Sequence, residues 1–234
     1  NHCPASAGIS VQLAPEFAVC RRRLRFRDPA TVPTPGYFSP AVFLLGMHAV
    51  LAQQSSATPA LVPVEAGIQD VFRHLANDLS RTAAIAQKIE TAYRQGRKVL
   101  VLTERTEHLD AIAAAMDGKV TALTVLHGRI TKKLRAALIM ELEALPPDAP
   151  RVLLATGKLV GEGFDHPPLD TLVLAMPVSW KGTLQQYAGR LHREHATKTD
   201  VRIIDFVDTG HPALLRMWDK RQRGYRAMGY RIAE

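Results

Sequence analysis

The strongest constraint on the fold is a recurring pattern. Short unbroken apolar runs occur at 98–103 (KVLVLT), 119–125 (KVTALTV), 151–155 (RVLLA), 171–175 (TLVLA) and 201–207 (VRIIDFV), and the stretches between them carry apolar residues at helical spacing. A strand with one wet face alternates apolar and polar residues, whereas a strand covered on both faces is apolar throughout. Runs of the second kind, alternating with helices, imply an α/β fold: a doubly wound parallel sheet whose crossovers are right-handed. Leu75, Leu79, Ala86, Ile89 and Tyr93 read as one long amphipathic helix closed by Gly96 and Arg97-Lys98. Leu109, Ile112, Ala113 and Met116 mark a second helix. Leu134, Leu138, Leu142 and Leu145 mark a third, capped by Thr131 and ended by Pro146-Pro147. Further helix-compatible stretches lie around 181–192 and after 211.

The first 65 residues have a different texture. Prolines from Pro4 to Pro63 and a lack of helical period read as strands and loops, a basic β/loop N-terminal extension. Within it, Leu24 and Phe26 alternate with Arg23, Arg25 and Arg27, giving a half-buried strand with a basic outer face. That face suits either a charge-protected edge or phosphate contact. The expected organisation is a connector over 1–65, an α/β lobe over 66–210 and a basic C-terminal helix over 211–234. Arg216 to Arg226, with Met217, Trp218 and Tyr225 among its basic residues, suits packing on the sheet, binding to a nucleic-acid backbone, or both.

Composition narrows the classes. A chain of 234 residues, 47% hydrophobic and 22% charged, is that of a globular protein rather than a disordered one. Its longest apolar stretch, 41–52, is too short for a bilayer and contains Gly46 and His48, so no membrane partner is expected. Cys3 and Cys20 stand alone, which supports neither a disulfide framework nor a structural zinc; the expected metal set is none and the expected compartment cytoplasmic. A net charge of +8 favours a polyanionic partner. Because the chain opens on Asn1, it reads as a piece of something longer.

Ligands of open parallel sheets bind outside the carboxyl ends of the strands. There the sequence places Thr103-Glu-Arg105, His127-Gly128, Thr156-Gly157 and the glycine-rich continuation to Asp165, followed by the helical stretch Gln186-x-x-Gly189-Arg190-x-x-Arg193. Glycines at 157, 161 and 163 let backbone N–H groups approach an anion. Asp165 suits either a ribose hydroxyl or a helix cap. On a helix, Gln186, Arg190 and Arg193 fall at i, i+4 and i+7, one face with two permanently charged guanidiniums suited to a triphosphate or to solvent, while Gly189 permits close packing. His192 and His195 lack a third ligand and read as a solvated pair. Trp180 reads as a core or loop anchor, with base stacking the alternative.

The ordered set VLVLTER, LHG, ATGKLVGEGFD and QYAGRLHRE resembles the second RecA-like lobe of superfamily 2 DEAD/DEAH-type helicases and translocases, especially those near restriction-enzyme motor subunits. The resemblance covers about residues 77–210. It implies that Gly163 and Asp165 sit at the ATP ribose and phosphate side, that Gln186 and Arg190 contact the triphosphate beside Gly189, and that Arg193 is the arginine finger. Thr103, Arg105, His127, Gly128, Thr156 and Gly157 match positions along a DNA or RNA backbone. LTERTEHL also resembles helicases linked to primase or nuclease modules.

One part of that family pattern is missing. No phosphate-binding G-x-x-x-x-G-K-[ST] occurs, nor an Asp-Glu pair for the metal. The resemblance implies that these belong to an N-terminal RecA-like lobe of the same parent chain. ATP and Mg2+ would then be bound by the complete two-lobe protein, with this piece inactive alone. The alternative is a degenerate RecA-like module that binds nucleic acid or a partner without turnover.

Overall fold

The computed structural model describes residues 48–54, 63, 65–157, 164–178 and 183–233. Strands β1 (His48–Gln54), β2 (Lys98–Thr103), β3 (Leu123–Leu126), β4 (Arg151–Thr156), β5 (Thr171–Leu174), β6 (Val201–Val207) and β7 (Arg231–Ala233) form one sheet in the order β3-β4-β2-β5-β6-β1-β7. Every pairing is parallel. The helices are α1 (Ile68–Asn77), α2 (Leu79–Arg94), α3 (Thr106–Ala115), α4 (Lys132–Ala144), α5 (Thr183–Leu191) and α6 (Pro212–Ala227).

Burial explains the unbroken apolar runs. Leu100, Leu102, Leu153, Leu172 and Ile203 face a layer that includes Leu142 of α4, Leu184, Tyr187 and Leu191 of α5, and Tyr225 of α6. Val99, Val101, Val152, Leu154 and Val173 face Ile85 and Ile89 of α2 and Leu109 and Ile112 of α3. Successive residues thus enter opposite cores, and no position in β2 can be polar toward water.

The sheet is wider than the stretch 66–210. β1, from the proline-rich segment, lies between β6 and β7, with Val50 fully buried, and β7 follows the C-terminal helix. The expected long helix is two. Asp78 adopts extended angles (φ −75°, ψ 108°) and accepts from the Arg81 amide at 3.0 Å, so it caps α2 and ends α1. Leu79, placed in the apolar stripe by spacing, is 80% exposed. Thr131 caps α4 as expected, accepting from the Leu134 amide at 3.2 Å, and α4 ends ahead of Pro146. α6 packs through Leu214, Trp218, Arg221 and Tyr225, leaving Arg216, Lys220, Arg223 and Arg226 exposed. The arginine strand around Cys20–Arg27 lies outside the described residues.

Two buried arginines tie helices to strands. Arg221 of α6 pairs with Asp205 of β6 at 2.7 and 3.0 Å, and the Tyr225 hydroxyl donates to the same carboxylate at 2.7 Å. Arg81 in the first turn of α2 pairs with Asp208 at 3.0 and 3.1 Å and donates to the Ala175 carbonyl at 2.6 Å, joining α2 to the ends of β5 and β6. Removing one partner of such a pair leaves a buried uncompensated charge. Asp208→Ala is expected to lower unfolding free energy by about 3–5 kcal/mol in urea denaturation. Arg81→Met in the same background should recover part of that loss, and a single-variant loss below about 1 kcal/mol would show that the pair is not structural.

Candidate nucleotide and nucleic-acid interface

Because all strands are parallel, their carboxyl ends share one rim. It carries Thr103 to Thr106 after β2, His127 to Arg129 after β3, Thr156-Gly157 at the end of β4, Met176 to Val178 after β5, and Asp208 after β6. The turns after β2, β3 and β4 that the sequence singled out therefore share this rim. Helix α5 instead runs back from it and carries Arg190 and Arg193 with Asp165 toward the end where the strands begin, because a crossover between parallel strands must return to the start of the next one.

Thr103 is buried, and its hydroxyl turns inward to Nδ1 of His108 at 3.1 Å while accepting from the Arg105 amide at 3.4 Å. Burial, and then the positive charge of Arg81, hold His108 well below the ordinary range, at about 4, so the ring is neutral at pH 7. Thr103 in this position braces the turn that presents Arg105. The Arg105 guanidinium reaches the Gln69 carbonyl at 3.0 Å and its side-chain oxygen at 3.3 Å. Nδ1 of half-buried His127 accepts from the Arg129 amide at 3.2 Å, and at exposed Gly128 a Cβ would meet no heavy atom within 4 Å. A groove of about 830 Å³ runs beside these turns, with Phe72, Met176 and Met217 in its apolar lining and Arg105, Glu107 and Arg129 among its charged residues.

Gly157 is enclosed rather than open. A Cβ there would lie 2.2 Å from the Tyr187 hydroxyl oxygen and 2.8 Å from a Glu104 carboxylate oxygen, so the turn after β4 accepts no side chain as packed. The Glu104 carboxyl is raised above its ordinary range by desolvation. Burial, followed by the Glu104 charge, pushes the Tyr187 hydroxyl up to about 12, and it stays protonated.

Helix α5 turns Leu184, Tyr187, Ala188 and Leu191 inward, the i, i+3, i+4, i+7 set, and leaves Gln186 exposed and Arg190 half-buried. The helix ends at Leu191, so Arg193 does not lie on the helical face with Gln186 and Arg190 that its spacing suggested. It sits in a tightened turn: the His192 amide donates to the Gly189 carbonyl at 3.3 Å and the Arg193 amide to Arg190 at 3.5 Å. Its side chain, 56% exposed, reaches Asp165 at 3.3 Å, and Arg190 donates to the Phe164 carbonyl. A Cβ at Gly189 would meet no heavy atom within 4 Å among the described residues, so none of these packs closely against it. Gly163 and Trp180 lie outside the described residues.

Several neighbours escaped the sequence reading. His192 is not solvated: its Nε2 meets the Tyr230 hydroxyl at 2.8 Å, its ring lies 4.7 Å from that of His48, and burial holds it at about 4. Lys198 reaches the carbonyls of Leu191 and Arg193. Tyr187 lay hidden in the apolar count of its helix. Among the described residues no group of three or more His, Cys, Asp and Glu is placed to hold a metal ion, and no helix is long and apolar enough to cross a membrane.

Gly157→Ala is expected to destabilise the domain by about 1–3 kcal/mol through overpacking. Tyr187→Phe should return part of it by removing the closest atom. Thermal melting of the two single variants and the double checks this, and additive losses would contradict the clash.

The helicase conserved C-terminal domain family matches residues 81–195, from the arginine that anchors α2 to just beyond Arg193. Uncharacterized protein 108L of Invertebrate iridescent virus 3 is 38% identical over 99 residues, 41% of this chain and 86% of that protein. Transcript termination protein A18 of Fowlpox virus (strain NVSL) is 29% identical over 137 residues, 58% of this chain and 29% of that protein. Among solved structures, T4 UvsW shares the fold with a TM-score of 0.63 at 16% identity, covering 79% of this chain and 40% of that one. The chain thus spans well under half the length of A18 and of UvsW. With an all-parallel α/β sheet of RecA-like type, the chain carries a helicase conserved C-terminal domain over residues 81–195.

Proposed function

We propose that this chain is the C-terminal motor lobe of an ATP-dependent nucleic-acid helicase or translocase, supplying the arginine finger and part of the backbone track. The observation that carries the reading is the cluster at the end of α5. Arg190, Arg193 and Asp165 gather there, toward the end of the sheet where the strands begin. Arg105, Gly128 and Gly157 occupy turns at the carboxyl ends of the strands, and those after β2 and β4 meet α5 through Tyr187, all within the family span.

The residues present fit one side of a nucleotide. Arg193 and Asp165 are a solvent-accessible donor and acceptor, 56% and 37% exposed, with Arg190 beside them. Bound ATP with Mg2+ supplies the phosphoanhydride whose hydrolysis drives the cycle. Arg193 then exchanges a carboxylate for phosphate oxygens. An exposed ion pair is worth only about 0–1 kcal/mol, so the exchange costs little, and it frees Asp165 to accept from a ribose hydroxyl. Gln186 and Arg190 orient the triphosphate. The phosphate loop and metal carboxylates come from a first RecA-like lobe of the parent, and cleft closure brings Arg193 to the phosphate. Arg105, His127-Gly128 and Thr156, at the turn that the enclosed Gly157 keeps tight, contact the phosphates and sugars of DNA or RNA, which gives grip without sequence preference.

A second reading is favoured by one observation: both arginines are already satisfied within the lobe, Arg193 by Asp165 and Arg190 by the Phe164 carbonyl. A RecA-like module that binds nucleic acid or a partner without turnover would look the same at rest.

Arg193→Ala separates the two. In the full-length helicase, nucleic-acid-stimulated ATPase should fall roughly 10³-fold or more while ATP binding is largely kept; an unchanged rate selects the binding module. For the track, Arg105→Ala should reduce the slope of log K against log salt by about one, with affinity for all sequences weakened alike. An unchanged slope removes Arg105 from the track.

A further inference from the structure

Helix α5 stops short of the arginine assigned as the finger. If Arg193 lay on a helix, backbone hydrogen bonds would fix it; but it lies two residues past the helix end, in a turn held by two long i→i−3 bonds. The last carbonyls of any helix lack intrahelical partners, and a finger on such a turn needs another source of rigidity. Lys198 provides it. Its ammonium donates to the Leu191 carbonyl at 2.9 Å and to the Arg193 carbonyl at 2.7 Å, bridging the end of the helix and the finger's own peptide. A cation at this point is also favoured by the helix dipole.

The segment that carries Lys198 is itself braced. The His195 Nδ1 meets the Thr197 hydroxyl at 2.9 Å, the Lys198 amide donates to the His195 carbonyl at 3.0 Å, and the Thr197 hydroxyl reaches the Pro147 carbonyl at 3.4 Å. Lys198 is therefore held from a separate turn, and its charge closes the loop back on Arg193. Resting on the arginine-finger reading above, we infer that Lys198 is the positioning residue for Arg193: it fixes the peptide from which the guanidinium extends, and it acts in the reaction only through that arginine.

The surroundings give the proposal a pH signature. Burial lowers the Lys198 amine to about 8. Asp170 and Asp165 oppose that shift, while Arg193 and Lys98 add to it. His166, His192, His195 and Arg151 also lie around it; the three histidines are held down in part by the same lysine. Below about pH 8 the ammonium is charged and holds both carbonyls; above it the neutral amine holds them less firmly.

The test is nucleic-acid-stimulated ATPase of the full-length helicase with Lys198→Met, Lys198→Arg, Arg193→Ala and the Lys198→Met/Arg193→Ala double variant, read as kcat and KM across the alkaline range. Lys198→Met should lower kcat by roughly 10- to 100-fold, the scale of a misplaced catalytic group, with KM for ATP within about twofold. The double variant should be no slower than Arg193→Ala alone, because the lysine has nothing left to position. In the wild type kcat should decline above about pH 8, and Lys198→Arg, which keeps its charge, should restore most of the rate and lose that decline. A Lys198→Met kcat within about twofold of wild type, or an equal factor lost in both arginine backgrounds, overturns the inference while leaving the finger intact. An unaltered rate in Arg193→Ala defeats the finger reading and this inference with it. Should Lys198→Met fail to fold, the Lys198→Arg pH profile decides alone: an alkaline decline shared with wild type overturns the role.

Discussion

The layout of the candidate site depends on one constraint: neighbouring parallel strands cannot be joined by a tight turn, so the turns after the strands share one rim and the crossover helix α5 carries its last residues back toward the other. Each strand of this sheet must return over a face, so its carboxyl-terminal turn is delivered to the same rim as every other. The apolar runs serve this directly. Leu100 and Leu102 enter one core and Val99 and Val101 the other, and the backbone between them emerges at Thr103 in a fixed direction. Ion pairs hold the two ends of the sheet in different ways. Arg97, Lys98, Asp170 and Asp200 cluster where β2, β5 and β6 begin, whereas Arg81 and Asp208 lock α2 at the ends of β5 and β6. A buried pair adds little net stability, since desolvation offsets the attraction, but it does specify which helix meets which strand end. In the latter case it fixes the rim.

Much of this was legible in the residues. The central strands β2, β4, β5 and β6 could be read because burial on both faces leaves a local signature, and Thr131 as a cap because its side chain bonds its own helix. β1 was not placed in this sheet, since its apolar stretch stands alone between Pro40 and Pro59 and what sets its position is pairing to β6, some 150 residues away. The break at Asp78 failed for a related reason: apolar spacing continued through it, and the signal was the aspartate three residues before Arg81, a cap set inside an apparently unbroken period. β7 is three residues long and exists by joining the edge at β1.

At the site the limit was different. Residue types and their order singled out Asp165, Gln186, Arg190 and Arg193 as candidates, but helical spacing assumed a helix reaching Arg193, and α5 stops at Leu191. No periodicity reports where a helix ends when no glycine or proline marks the end. Lys198 is harder still to foresee, because a lysine in a polar loop looks solvated until the carbonyls it meets are known. His192 shows the converse. Beside Arg193 and Glu194 it reads as surface, yet Tyr230 from the far end of the chain covers it.

These local facts join at α5. Its outer side carries Gln186 and Arg190, and its inner side carries Tyr187, whose hydroxyl lies over Gly157 beside the Glu104 carboxylate. The turn after β4 and the turn after β2 thus abut the helix that bears Gln186 and Arg190, the side chains proposed to face the nucleotide. Close-packed interiors transmit displacement instead of absorbing it, and Gly157 leaves no slack there for a methyl group. A shift of α5 therefore has to move Tyr187 against Gly157 and Glu104, or be resisted by them. If the turns that carry Arg105 and Thr156 hold a nucleic-acid backbone and Arg190 and Arg193 a triphosphate, the Tyr187 ring is a direct contact between the helix of one ligand and the turns of the other. A tyrosine kept protonated and buried suits that position because it offers a rigid contact whose shape and charge do not change over the physiological pH range.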